Sequence, residues 1–143
     1  MLAPGDRSAT DNRRVVLAFF THLASGRTDE AVALLADDLY FWMPARREEI
    51  GRAETATRLA RVGALMDGAV VPFDVTDTVA EGDRVTALVE VHAALRDGTA
   101  YDQYYHWWFR LRDGRIVQMR EYNDTALVHR LGIVPPGQPV GDG

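Results

Sequence analysis

Hydrophobic positions in the first part of the chain recur at the spacing of amphipathic helices. The first predicted helix begins at a cap at Thr10 or Asp11 and ends before Gly26, which supplies the stop. Its apolar side is formed by Val15, Val16, Phe19, Phe20 and Leu23. A short second helix is predicted over residues 28–38, and a third over residues 53–66.

After the third helix, hydrophobic positions alternate with polar ones, which is the spacing of β-strands. Strands are predicted over residues 70–80 and 84–95, followed by a hairpin within residues 101–124. The hairpin is expected to turn at Asp113-Gly114, because Asp-Gly between two alternating runs is a strong hairpin signal.

Shorter segments complete this pattern. An aromatic strand is predicted over residues 39–44, and residues 45–52 are predicted to form a charged loop. Residues 125–131 are predicted to form a short helix before Gly132.

The first strand of the hairpin carries large aromatic side chains on both faces. One face holds Gln103, Tyr105, Trp107, Phe109 and Leu111, and the other holds Tyr104, His106, Trp108 and Arg110. We expect one face to line a core or cavity. The other, which includes His106, is expected to be covered, and a second subunit is the favoured cover.

Three helices followed by a meander of long strands are typical of the α+β class. The natural packing is a cone-shaped, strongly curved antiparallel sheet with the three N-terminal helices laid across its concave side. The open end of such a cone leaves a pocket for a ligand. We expect a single domain over residues 1–143, with flexible segments at residues 1–9 and 133–143.

Composition excludes several classes of function. The 143 residues include no cysteine, so disulfides, thiolate catalysis and cysteine-based zinc sites are excluded. The net charge of -5 and the scattered arginines argue against nucleic-acid binding. No apolar run approaches the length of a membrane span, and residues 1–14 lack a signal pattern. A cytoplasmic protein with no membrane partner is therefore expected.

Two acidic positions and one histidine are candidates for proton transfer. If the strand face that carries Glu90 and His92 points inward, they form a carboxylate–imidazole pair suited to neutral pH. If that face points outward, they lie at the surface or in a dimer interface. Glu121 is a candidate base or ion-pair partner, with a solvated surface position as the alternative.

Aromatic side chains are candidates for the wall of a ligand pocket. Tyr40 and Trp42 on the early strand, with Tyr105 and Trp107, either line a site for a flat hydrophobic ligand or pack in the core. The four histidines lack metal-ligand spacing, and there is no glycine-rich phosphate loop. Chemistry without a metal or a cofactor is therefore expected.

Two segments resemble a known superfamily: FFTHLASGRTDEAVALLADDLYFWMP and FRLRDGRIVQMREYNDTALVHRLGIVP. Over residues 11–132 the chain is similar to the cone-shaped fold shared by nuclear transport factor two, ketosteroid isomerase and the SnoaL-like polyketide cyclases. The second segment resembles the SnoaL-like ending, in which the last strand delivers an aspartate ahead of a short helix that ends in Leu-Gly. Because this fold hosts many reactions, the resemblance predicts the fold and leaves the reaction open.

The resemblance implies roles for three residues. In SnoaL-like cyclases, the aspartate at the end of the last strand is the acid/base of an aldol ring closure, and Asp124 matches its position. The alternative is that Asp124 caps the following helix. A strand histidine assists in those enzymes, and His92 and His106 are both candidates.

The proton-carrying groups of ketosteroid isomerase are absent. Hand alignment places Phe19, Met43 and Trp107 where that family has its tyrosine, its base and its protonated aspartate. None of them transfers a proton to a substrate carbon, so isomerisation by that machinery is not expected. Phe19 and Glu90 remain expected ligand contacts.

The sequence thus favours a cofactor-independent acid/base enzyme of the SnoaL-like type. It would cyclise, isomerise or dehydrate a hydrophobic, oxygenated small molecule, and a role in bacterial secondary metabolism is expected. Asp124, Glu121 and His92 are its expected catalytic residues, and a homodimer through the sheet is expected. One alternative is a non-catalytic binding or dimerisation module. Another is an epoxide hydrolase, with Arg120 beside Glu121 or Asp124 as the nearest match to its Asp–Arg–Asp set.

Overall fold

The computed structural model describes residues 4–44 and 47–133. Its four helices are α1 (Pro4–Ala24), α2 (Thr28–Ala33), α3 (Arg52–Leu65) and α4 (Thr125–Arg130). Its six strands are β1 (Leu35–Met43), β2 (Glu48–Ile50), β3 (Asp74–Glu81), β4 (Arg84–Ala94), β5 (Ala100–Arg112) and β6 (Arg115–Asn123).

The first helix is longer than the sequence pattern predicts. It begins at Pro4 and not at a cap at Thr10 or Asp11, so residues 4–9 are helical where a flexible segment was expected. Proline is tolerated in the first turn of a helix, where its missing N–H has no intrahelical partner. Residues 1–3 and 134–143 lie outside the described part of the chain.

All six strands form one curved sheet, in the order β2-β1-β6-β5-β4-β3. The predicted α+β class and cone-shaped fold are confirmed, but the prediction of an entirely antiparallel sheet is wrong. β1 pairs with β6 in parallel, with Phe41 beside Met119. A tight hairpin fixes the direction of β6 against β5, whereas no short turn joins β1 to β6, so either orientation was open to β1.

The edge of the sheet next to β1 differs most from the prediction. Helix α2 ends at Ala33, so the strand begins at Leu35 inside the predicted helix. Residues 48–50 of the predicted charged loop form β2, which pairs with β1 through Phe41 and Ile50. A three-residue strand rich in charge carries too little alternation to be recognised from sequence.

The hairpin of β5 and β6 matches its prediction. Asp113 and Gly114 form a two-residue turn with φ of 51° and 76°, the positive values that such a turn requires. The face of β5 that includes Trp107 and Phe109 is buried, while Tyr104 on the other face is 56% exposed. The alternation therefore identified both sets of side chains correctly.

Helix α1 packs its apolar side on this buried sheet face. Phe20 meets Trp107 and Phe109 edge-on, with ring centres 5.6 Å and 5.7 Å apart, and Phe19 meets Phe109 at 6.1 Å. These rings form the core between the helix layer and the sheet. Within residues 4–44 and 47–133, no helix is both long and apolar enough to cross a bilayer.

Candidate functional site

A cavity of about 150 Å³ lies between α3 and the inner face of the sheet. Leu59 and Val62 of α3, with Phe73 from the segment before β3, give it an apolar side. The opposite wall belongs to the sheet and is more polar, because it carries tyrosine, glutamate and asparagine side chains of β5 and β6. The expectation that the cone encloses a pocket is therefore met.

Two tyrosines form a hydrogen-bonded pair in this wall. The hydroxyl oxygens of Tyr101 and Tyr105 lie 2.8 Å apart, and both side chains are buried. Burial raises the pKa of each phenol, and the nearby charge of Glu121 raises both further. Both phenols therefore stay neutral at physiological pH and keep their protons for hydrogen bonding.

Glu121 is the acidic side chain of the cavity wall. It lies opposite Trp107 in the β5–β6 ladder and is partly buried, whereas its neighbour Tyr122 is 42% exposed on the outer face. The two side chains therefore point to opposite faces of the sheet, as neighbouring residues of a strand do. A carboxylate in a mostly apolar pocket, close to two neutral phenols, provides a group that can accept a proton.

Arg58 brings a cation to the cavity from α3. Its Nη2 donates to both carboxylate oxygens of Glu48 at 2.8 Å and to Glu54 at 3.0 Å. These bonds fix the guanidinium between α3 and β2 and offset its charge. Sequence reasoning missed this residue, because an arginine four positions after a glutamate is typical of an exposed helix face.

Residues 16–119 match the model of the SnoaL-like domain. The chain belongs to the SnoaL-like family. The predicted family is thus confirmed, although Glu121 and Asn123 lie beyond the matched residues. A search of curated proteins found no match for the chain.

Solved structures share this fold at low sequence identity. A protein described as a SnoaL-like polyketide cyclase, from Jannaschia sp. CCS1, has a TM-score of 0.77 and 20% identity, over 95% of this chain and 99% of its own. A LEH-like epoxide hydrolase from M. tuberculosis has a TM-score of 0.72 and 24% identity, and the match covers 85% of this chain and 89% of that protein. AclR from Streptomyces galilaeus, described as a hydroxylase, has a TM-score of 0.76 and 17% identity, and the match covers 90% of this chain and 100% of that protein. At these identities the likeness shows the fold alone.

Asp124 of this SnoaL-like domain lies outside the cavity, contrary to our expectation. Its Oδ1 accepts hydrogen bonds from the N–H groups of Ala126 at 3.1 Å and Leu127 at 3.4 Å, so it caps α4. The side chain is exposed, and Gln103 holds its backbone N–H and C=O from β5. The capping alternative describes its position, because Asp124 follows the last residue of β6 and begins a helix.

Glu90 and His92 also lie away from the cavity, on the outer sheet face. The Nδ1 atom of His92 is 2.9 Å from Asp102 Oδ1, and its Nε2 is 3.6 Å from Glu90 Oε1. The hydrogen bond to Asp102 raises the pKa of His92 above its ordinary value. The outward alternative is therefore the correct one, and the inward proton-transfer pair is not formed.

The aromatic residues expected to line the cavity do so on β5, whereas on β1 the opposite strand face lines it. Tyr105 and Trp107 line the cavity as expected. Tyr40 and Trp42 face outward, and the Tyr40 hydroxyl donates to Glu49 Oε1 at 2.7 Å, which raises the pKa of Tyr40.

The alternate residues of β1, Phe41 and Met43, line the cavity instead. Phe19 is fully buried in the core and is not among the lining residues. Alternation had identified which β1 residues share a face but not which face turns inward.

Proposed function

We propose that this SnoaL-like domain is an acid/base enzyme that acts on a small, largely apolar molecule carrying a carbonyl oxygen. Glu121 transfers the proton, and the Tyr101–Tyr105 pair donates a hydrogen bond to the carbonyl oxygen. The observation that carries this proposal is the placement of a carboxylate and two neutral, buried phenols in one wall of an apolar cavity.

The proposed reaction begins with the carboxylate of Glu121 removing a proton from the carbon next to the carbonyl. Negative charge then develops on the carbonyl oxygen, and a phenolic O–H stabilises it. Within the pair one hydroxyl donates to the other, so the accepting tyrosine keeps its own proton for the substrate.

The enolate that forms then follows one of three routes. Reprotonation at another carbon gives isomerisation. Loss of a β-hydroxyl group as water gives dehydration, and attack on a second carbonyl of the same molecule closes a ring. Each route uses only the proton held on Glu121 and needs no external oxidant or reductant.

Cavity size limits the substrate. A volume of about 150 Å³ is comparable to that of an apolar cavity that holds benzene. The enclosed part of the substrate is therefore about one six-membered ring, and a polycyclic substrate would extend beyond the cavity.

A test follows the exchange of hydrogen for deuterium next to the carbonyl of cyclohexanone, by NMR in deuterated buffer. We expect wild-type protein to accelerate exchange over buffer and Glu121→Gln to reduce the rate to that of buffer. Asp124→Asn is the matched control, because asparagine caps a helix as well as aspartate does, and it should keep the wild-type rate. Acceleration lost in Asp124→Asn but kept in Glu121→Gln would reverse the assignment.

The binding-module alternative makes a different prediction in the same assay. It expects cyclohexanone to bind while wild-type exchange stays at the buffer rate. The epoxide hydrolase alternative has less support, because Arg120 lies on the outer sheet face, 5.7 Å from the Trp108 ring. Its predicted partner Asp124 is an exposed helix cap.

A further inference from the structure

Buried polar atoms without a partner cluster at the cavity. In residues 4–44 and 47–133, four buried side-chain polar atoms lack a hydrogen-bond partner. Three of them belong to cavity-lining residues: Trp107 Nε1, Arg58 Nη1 and Asn123 Oδ1. Leaving such an atom buried and unpaired costs about 1–3 kcal/mol, so three around one cavity call for a common explanation.

Packing prevents Trp107 from finding a partner within the chain. The side chain is 2% exposed, and its ring stacks on Phe109 and Phe41 with centres 5.9 Å and 5.7 Å apart. A buried ring packed against two others cannot turn its N–H toward solvent without breaking both contacts. The indole N–H is therefore a fixed donor on a residue that lines the cavity.

The sheet register places the unpaired acceptor close to this donor. Trp107 lies opposite Glu121, and Asn123 lies opposite Tyr105, in successive inward-facing pairs of the β5–β6 ladder. Diagonal neighbours in such a ladder are about 7–8 Å apart at their Cα atoms, so one small molecule can contact both side chains.

Arg58 completes the set from the α3 side of the cavity. Its Nη2 is fully engaged with Glu48 and Glu54, which leaves Nη1 as a second donor. The two glutamates offset the charge of Arg58, and Glu121 adds a further negative charge to the wall. A neutral ligand therefore fits this site better than an anion.

We propose that these three atoms recognise the polar groups of a small, neutral, hydroxylated carbonyl compound. Oxygen atoms of the ligand accept hydrogen bonds from Trp107 Nε1 and Arg58 Nη1, and a ligand hydroxyl donates to Asn123 Oδ1. This inference rests on the proposed use of the cavity as a substrate site, but it does not require Glu121 to transfer a proton.

Three ring compounds of similar size separate the contributions: benzene, cyclohexanone and 4-hydroxycyclohexanone. We expect 4-hydroxycyclohexanone to bind most tightly and benzene most weakly, as measured by titration followed by NMR. The chain has three tryptophans and hence three indole N–H signals. The Trp107 signal should move with both ketones, while those of the outward-facing Trp42 and Trp108 stay in place.

Matched variants test the contacts of Trp107 and Asn123. Trp107→Phe should weaken ketone binding about three- to tenfold and change benzene binding little, because one neutral hydrogen bond is lost. Trp108→Phe on the outer face should leave all three affinities unchanged. Asn123→Leu, similar in size, should remove the advantage of 4-hydroxycyclohexanone over cyclohexanone. Retained benzene binding shows that each variant keeps its cavity.

Several outcomes would overturn the proposal. One is equal affinity for benzene and 4-hydroxycyclohexanone. Another is an indole N–H signal of Trp107 that does not move when the protein is saturated with ketone. A third is the absence of binding by all three probes. Binding is measured in parallel on Glu121→Gln. If that variant keeps the affinity ranking but wild type shows no deuterium exchange, the proposed catalysis fails and the recognition site stands.

Discussion

The hydroxyl oxygen of Tyr101 lies 2.8 Å from that of Tyr105, and both phenols are buried in the wall of the cavity. The two tyrosines are four residues apart on one face of β5. Gln103 lies between them on that face, and its side-chain amide forms hydrogen bonds with the backbone N–H and C=O of Asp124. One hydroxyl donates to the other, so the proton of the accepting hydroxyl is not used within the pair.

The first prediction concerns stability at high pH. Because the folded state raises the pKa of both phenols, it holds their protons more tightly than the unfolded chain does. Their contribution to the free energy of unfolding is full below the unfolded pKa of about 10 and is lost as the pH rises through the folded pKa. Urea unfolding at several pH values above about 9 should show this fall.

Two substitutions isolate that effect. Tyr105→Phe should flatten the loss of stability with rising pH, because the more strongly shifted phenol is gone. Tyr104→Phe, whose side chain is 56% exposed on the outer face, should leave the slope as in wild type. An unchanged slope in Tyr105→Phe would contradict the assignment.

The second prediction compares the two glutamates bound to Arg58. Glu48 accepts two bonds of 2.8 Å and is about one-third exposed, whereas Glu54 accepts one of 3.0 Å and is about half exposed. Glu48→Gln should lower the free energy of unfolding by about 1–2 kcal/mol, and Glu54→Gln by at most about 0.5 kcal/mol. Urea denaturation of both variants measures the difference, and equal costs would contradict it.

The third prediction separates a cap from a catalyst. Asp124→Ala should cost about 1 kcal/mol of stability, because two backbone N–H groups of α4 lose their acceptor. Asp124→Asn should cost little. Neither variant should alter probe binding in the cavity, measured by the same titration as above. If Asp124→Asn binds the probes more weakly while keeping wild-type stability, Asp124 contributes to the cavity site and the assignment as a cap alone is wrong.

Local patterns predicted the β5–β6 hairpin and its buried face, because alternation and the Asp113-Gly114 turn are both encoded in neighbouring residues. Two correct members of the cavity wall, Tyr105 and Trp107, followed from this. On β1 the same reasoning chose the wrong face, since aromatic residues occupy both faces there. Only packing against α3 and Trp107 determines that Phe41 turns inward.

Other site residues could not be predicted because they depend on tertiary contacts. Arg58 reaches the cavity because Glu48 anchors it, and Glu48 belongs to a strand too short to recognise in the sequence. Asp124 lies one residue beyond β6, where strand alternation no longer tells which way a side chain points. Burial of the unpaired Asn123 oxygen likewise depends on the assembled cavity.

The fourth prediction concerns His92. Its hydrogen bond to Asp102 raises the pKa of the imidazole, with a smaller effect of Glu90. We expect NMR titration to give a pKa above about 6.5, and Asp102→Asn to lower it toward that value. The resulting stabilisation is full below the unfolded pKa and is lost as the pH rises through the folded pKa.

The fifth prediction is a homodimer through the outer sheet face. In the β4–β5 ladder, one end of that face carries Arg84 opposite Arg110, and the other carries His92 opposite Asp102. Leu88, 49% exposed, marks its centre. Asp83 offsets part of the positive charge at the basic end.

A two-fold axis across the strands near Leu88 would place Arg110 of one copy over Asp102 of the other, so these two positions are complementary in charge across the interface. We expect sedimentation equilibrium to give a dimer. Leu88→Glu should dissociate it without loss of probe binding.

Charge exchange gives the sharper test of this arrangement. Arg110→Asp alone should weaken the dimer, because it places two acidic groups together twice across the axis. Adding Asp102→Arg in the same chain should restore association, since each new aspartate then meets a new arginine. If the Leu88→Glu variant remains a dimer, the interface lies elsewhere on the protein. Failure of the double exchange to restore a dimer that Arg110→Asp has weakened would exclude this orientation of the two copies.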